Sequence, residues 1–139
     1  MENNVSVYSC SNVEAMVNSV KSNTEIISNM LCYTRNNDKA INERLTDYAK
    51  YKKNLADDQI EMYRSYVNYK QSIEDTLREY SEKIENDGYM HQMTIELHSI
   101  DSDYSVMHKL FEEINRLQVK VMEMLCGVIS QANLLLGCL

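Results

Sequence analysis

No proline and no tryptophan occur among the 139 residues, glycine appears three times and phenylalanine once. Proline and glycine set turns and break helices, so this chain lacks the punctuation that sheets and turn-rich folds require. Long helices are what remain. The cysteines Cys10, Cys32, Cys126 and Cys138 show no C-x-x-C spacing. On one straight helix, Cys126 and Cys138 would lie about 18 Å apart, too far for a bridge. Glycine-rich phosphate loops and nucleophile elbows are missing. The chain is therefore read as having no catalytic site and no cofactor. The N-terminal Met1-Glu2-Asn3-Asn4 is polar and has neither the basic nor the apolar region of a secretory signal, which points to an intracellular, cytoplasmic protein.

Positive charge is also scarce. Fourteen Lys and Arg stand against twenty-one Asp and Glu, a formal net charge of −7. Binding of a phosphate backbone rests on clusters of bases, so a nucleic-acid partner is not expected, and an anionic membrane surface is disfavoured. The charge is uneven. Residues 35–53 hold Arg35, Lys39, Arg44, Lys50, Lys52 and Lys53, whereas residues 74–103 hold nine acids against Arg78 and Lys83. The apolar run from Met124 to Leu139 contains Gln131 and Asn133 and falls short of the ~20 residues that span a bilayer. It is read as buried in protein, with no membrane insertion.

What the chain does have is a seven-residue apolar repeat. From Met90 to Leu139 one register collects Met90, Leu97, Tyr104, Phe111, Gln118, Leu125, Ala132 and Leu139. A second, three residues on, collects Met93, Ile100, Met107, Ile114, Val121, Val128 and Leu135. Such a repeat belongs to helices that pack along their length. A similar stripe, Ile41, Leu45, Tyr48, Leu55, Met62, Tyr66, Tyr69, Ile73, Leu77, Tyr80 and Ile84, precedes it. Glu85-Asn86-Asp87-Gly88 separates the two, with Gly88 suited to the left-handed conformation that ends a helix.

These patterns predict one all-α domain over residues 12–139 behind a loose arm, residues 1–11, with helices about 12–34, 38–86 and 89–136. The first break is placed at Arg35-Asn36-Asn37-Asp38, with Asp38 as a cap. Folding the chain about Asp87 and Gly88 makes an antiparallel, coiled-coil-like hairpin in which Ile73 faces Ser102, Tyr66 faces Leu110 and Leu55 faces Val121. The first helix would pack at one end, against residues 117–137. There the seam gains the flanking apolar residues Leu117, Met122, Met124, Ile129 and Leu136. The other end would be an acidic two-helix projection. The same folding gathers Lys52, Gln59, Gln118 and Glu123 into a polar belt that sets register. Asn54–Asp58 and Ser99–Asp103 contain cap-forming residues. A break at either gives the alternative, a compact four-helix or five-helix bundle.

The chemistry-bearing residues are few. His91, His98 and His108 are the candidates for acid–base work near neutral pH, and His108 with Glu112 has the i, i+4 spacing of a helical metal pair. Neither a His-Glu-x-x-His nor a Glu-x-x-His motif is present, and a zinc site needs at least three protein ligands. No metal site is assigned. Ten tyrosines include Tyr63, which with Ile60 and Val67 makes a second apolar stripe off the seam. An uncovered stripe of this kind is a partner surface, unless a third helix covers it. Leu134, Leu135 and Leu136 at the apolar C-terminal end are a second candidate. The expected function is a non-enzymatic helical protein–protein interaction module, such as an assembly factor, adaptor or secretion-type chaperone. Its partner is another protein and it self-associates, as a homodimer at the least. The alternatives are a metal-binding or regulatory helical bundle and a structural filament or coat component.

Overall fold

The structure is a computed structural model and describes residues 10–84 and 104–139. The described residues form three α-helices and no strand: α1 Cys10–Tyr51, α2 Asp57–Ile84 and α3 Tyr104–Cys138. The turn expected at Glu85–Gly88, the weak point at Ser99–Asp103, and His91 and His98 lie outside the described residues.

α1 differs most from expectation. It runs unbroken through Arg35-Asn36-Asn37-Asp38 for 42 residues, about 63 Å. Asn and Asp are weak helix formers, but each costs only about 0.7 kcal/mol in a helix interior. A single seam crosses the region: Val17, Val20, Thr24, Ile27, Leu31, Thr34, Asp38, Ile41, Leu45 and Tyr48 recur at spacings of three and four. Val17, Val20, Ile27 and Ile41 are buried along it. Thr24 and Thr34 fit a helix because their hydroxyls donate back to the Val20 and Met30 carbonyls at 2.7 and 2.9 Å. A break at residue 35 would uncouple the apolar residues on either side of it.

The chain turns instead at residues 52–56. The Lys52 amide closes the last turn of α1 on the Tyr48 carbonyl at 2.9 Å. Gln59, at the third position of α2, reaches back with its carbonyl oxygen to the Ala56 amide at 2.8 Å, which is half of a capping box. Asp57 and Asp58 add negative charge to the first turn, where the helix dipole favours it.

α3 is continuous and its predicted seam is the buried one. Phe111, Ile114, Gln118, Val121, Leu125, Val128, Ala132 and Leu135 are all essentially without solvent exposure. Both other helices pack against it. Hydrogen bonds join Val20, Asn23 and Thr24 to Asn115 and Gln118, and Arg44 to the Leu136 carbonyl. α1 and α3 therefore run parallel. Gln59 meets Cys138, Tyr69 lies on Gly127 and Lys83 pairs with Glu113, so α2 runs antiparallel to α3.

That register corrects the folding about Asp87 and Gly88. Tyr66 was expected opposite Leu110, yet Tyr69 sits opposite Gly127, some twenty residues nearer the C-terminus. The reason is length. α1 and the turn at residues 52–56 leave α2 beginning only at Asp57, and its seam of Gln59, Tyr66, Ile73 and Tyr80 buries against the apolar seam of α3 from Leu117 to Leu135. Residues 60–84 are thus packed on α3, not part of an acidic projection.

Candidate functional site

α1 and α2 both pack on α3 but stand apart from one another over their central turns. Between them lies a groove of about 610 Å³, floored by Leu125 and Val128 of α3. Its α1 wall presents Leu31, Thr34, Arg35, Asp38, Ile41 and Asn42. The α2 wall presents Tyr63, Tyr66, Val67, Lys70, Ile73, Glu74 and Leu77. On both walls these residues recur at spacings of three and four, the spacing at which helices offer holes to the side chains of another helix.

One ion pair crosses the groove. Lys70 Nζ is 3.0 Å from Asp38 Oδ2 and 5.3 Å from the centre of the Tyr66 ring. Four buried side-chain atoms have no hydrogen-bond partner among the described residues: Asn37 Nδ2, Asp38 Oδ1 and the Tyr66 and Tyr80 hydroxyls. Tyr66 is only 3% exposed. Orphaned polar atoms of this kind are uncommon in protein interiors and call for an explanation.

The structure places the stripe of Ile60, Tyr63 and Val67 on two features. Tyr63, 36% exposed, and the half-buried Val67 line the groove. Ile60 lies in a separate cavity of about 600 Å³ under the turn, with Leu45, Tyr48 and Leu55. The C-terminal leucines divide as well. Leu134 is 54% exposed, but Leu135 is fully buried in the core and offers nothing to a partner. Leu136 is half-buried, and its carbonyl accepts a hydrogen bond from Arg44.

The polar belt does not form. Gln118 is 0% exposed and turns toward α1: its amide nitrogen donates to the Val20 carbonyl at 3.0 Å and the Thr24 hydroxyl at 3.1 Å, and its oxygen accepts from Asn23 at 3.3 Å. Gln59 sits at the far end of α3. Its amide nitrogen donates to the Tyr48 hydroxyl at 2.6 Å and the Cys138 carbonyl at 2.8 Å. With the Ala56 amide, this one side chain ties all three helices together and satisfies a carbonyl that the end of α3 leaves without a helical partner. Lys52 is exposed, with its ammonium 4.7 Å from the centre of the Tyr48 ring, and Glu123 is exposed on α3. The two glutamines stand about 30 Å apart along α3 because the register of α2 differs from the one assumed.

Among the described residues no group of three or more His, Cys, Asp or Glu side chains is placed to hold a metal ion. His108 Nδ1 lies 3.5 Å from Glu112 Oε1, the helical pair anticipated from the spacing. Cys32, Cys126 and Cys138 are free thiols. By length and composition alone, His108–Cys138 of α3 could cross a membrane, the mean hydropathy of its most apolar 18 residues being 1.5. This stretch is longer than the Met124–Leu139 run weighed above. Comparison with models of known families, with curated proteins and with solved structures gave no match.

Proposed function

We propose that this protein is a non-enzymatic interaction module that docks a helix of another protein in the groove between α1 and α2. The observation that carries the reading is the periodic lining of that groove. Leu31, Ile41, Tyr63, Val67 and Leu77 line it, with Leu125 and Val128 beneath them, and their spacing along two antiparallel walls suits the apolar stripe of an added helix. A volume of about 610 Å³ takes a few large side chains, not a whole helix, so the visitor would insert one face and leave the other in solvent. An assembly factor, adaptor or secretion-type chaperone works through such a surface.

Self-association belongs to the same proposal. Ile26, Tyr33 and Val119 are large apolar residues between 42% and 48% exposed on α1 and α3. α3, whose apolar length would also suit a membrane, serves in this reading as the core helix on which α1 and α2 pack, and the protein acts in the cytoplasm. Tyr63→Glu places a charge in the groove at a partly exposed site. Titration with an amphipathic helical peptide should show weakened association, with the melting temperature little changed. Association that is unaltered by this substitution removes the groove from consideration.

A further inference from the structure

Resting on the self-association reading above, we infer that two copies of this chain meet antiparallel through the face that α1 and α3 form on the side away from the groove. Two hydrogen bonds locate that face. Asn23 bonds Asn115 and Arg44 bonds the Leu136 carbonyl, and each pair is 92 residues apart in the chain. Arg44 lies three heptads beyond Asn23, as Leu136 does beyond Asn115, so both bonds fall on one flank of the α1–α3 contact. Met30 and Met122, both half-buried, occupy the next repeat after Asn23 and Asn115. Just outside them stand Ile26 and Tyr33 on α1 and Val119 and Cys126 on α3, all four exposed. The offset of 92 sets Ile26 beside Val119 and Tyr33 beside Cys126. The groove opens on the other flank of α1, at Leu31, Thr34 and Asp38.

An exposed, uncharged patch two helices wide suits an isologous dimer, in which the same surface serves both copies. From Asn23 to Arg44 it runs about 32 Å. Two helices side by side give it a width of ~20 Å. That makes roughly 600 Å² per copy and ~1,200 Å² in all, the lower bound of a specific interface. Charge sets the direction. Glu112, one repeat before Val119, is exposed at one end of the face, and Arg44 is exposed at the other. An antiparallel meeting brings Glu112 of each copy level with the partner's Arg44, and sets helix N-termini beside C-termini, which their dipoles favour. The two-fold axis then passes near residue 124 of α3, midway between the Glu112 and Leu136 levels. Cys126 falls within about 3 Å of that axis along the helix. Glu123 borders the face at its rim, where a charge stays in water.

The test uses the full chain. Sedimentation velocity over a range of concentrations should show wild type passing reversibly from monomer to dimer. Tyr33→Glu and Val119→Glu, each of which buries an unpaired charge in the interface, should weaken dimerisation at least ~tenfold. Tyr63→Glu, in the groove, should dimerise as wild type does. Treatment of wild type with bismaleimidoethane, followed by peptide mapping, should yield a dimer linked between the two Cys126 thiols. This second reading needs no substitution in the face, so it decides even where a variant fails to fold. Dimerisation that survives both Tyr33→Glu and Val119→Glu, or that yields to Tyr63→Glu instead, overturns this interface while leaving self-association standing. A dimer whose links run through Cys32 in place of Cys126 overturns it as well. A wild type that stays monomeric at every concentration removes self-association itself, and this interface with it.

Discussion

Two glutamines decide how the helices meet. Gln118 occupies a slot in a run of buried apolar residues, and its side chain is fully used by Val20, Asn23 and Thr24. A buried amide of this kind is tolerated only where its partners are in place, so it fixes α3 against α1 in one register. Gln118→Met keeps the volume and removes the bonds. Chemical denaturation should show a loss of about 1–3 kcal/mol. Gln118→Ala should cost more, because a cavity is added to the lost bonds. A Gln118→Met protein as stable as wild type would show that these bonds contribute nothing. The polarity of Gln118 was legible in the sequence, but its partners were not. Asn23 and Thr24 are polar letters within the first helix, and they are the groups Gln118 requires.

Gly127 and Gly137 give a matched pair at the same scale. A Cβ at Gly127 would come within 2.9 Å of the Tyr69 ring, whereas at Gly137 nothing lies within 4 Å. Alanine is favoured over glycine in a helix interior by about 0.5–1 kcal/mol. Gly137→Ala should therefore raise the melting temperature, by the lower part of that range so near the helix end. Gly127→Ala should gain less or lose, since the Tyr69 ring must shift. The reverse order would contradict the packing of α2 on α3.

At the level of the helices, continuity was harder to read than period. The seam of α3 from Phe111 to Leu135 was legible because every slot but Gln118 is apolar. The seam of α1 was not, because Thr34 and Asp38 occupy adjoining slots beside three further polar residues. Cap-forming residues signal an end only where no packing continues past them. Here Asp38 is engaged across the groove by Lys70. The true turn at residues 52–56 carried weaker letters, and its closure depends on Gln59, whose partners come from three separate parts of the chain. Gln59→Ala should cost about 1–3 kcal/mol, as the Ala56 amide, the Tyr48 hydroxyl and the Cys138 carbonyl lose a shared partner. Hydrogen exchange should place the loss at the turn and the end of α3.

The far end of the α2–α3 contact is electrostatic. Lys83 pairs with Glu113 and approaches Glu79 at 3.9 Å. The hydrogen bond from Lys83 and its charge hold the Glu113 carboxyl below the usual glutamate range. A carboxyl lowered on folding contributes stability above its unfolded value and loses it as pH falls through the folded one. Glu113 is exposed and Lys83 partly so, and the contribution is small and screened by salt. Melting of wild type and Glu113→Gln should differ slightly at neutral pH and low salt, and converge in acid or at high salt. A difference that grew on acidification would contradict the pairing.

The described residues form three helices with a groove between α1 and α2. The sequence made an uncovered stripe at Tyr63 and Val67 visible, because those residues fall off the seam that α2 gives to α3. It did not reveal that α1 would supply the opposite wall, since that follows from α1 continuing past residue 35. With both walls in place the stripe becomes one side of a groove crossed by the Lys70–Asp38 bridge. The most direct test of helix docking is titration of a leucine-striped amphipathic helical peptide of about 20 residues into wild type, Tyr63→Glu, Val67→Lys and Val119→Glu, all shown by melting to be folded. Loss of binding in the two groove variants, with wild-type affinity in Val119→Glu on the face away from it, is the predicted result. Undiminished binding in Tyr63→Glu and Val67→Lys, or loss in Val119→Glu alone, would contradict it.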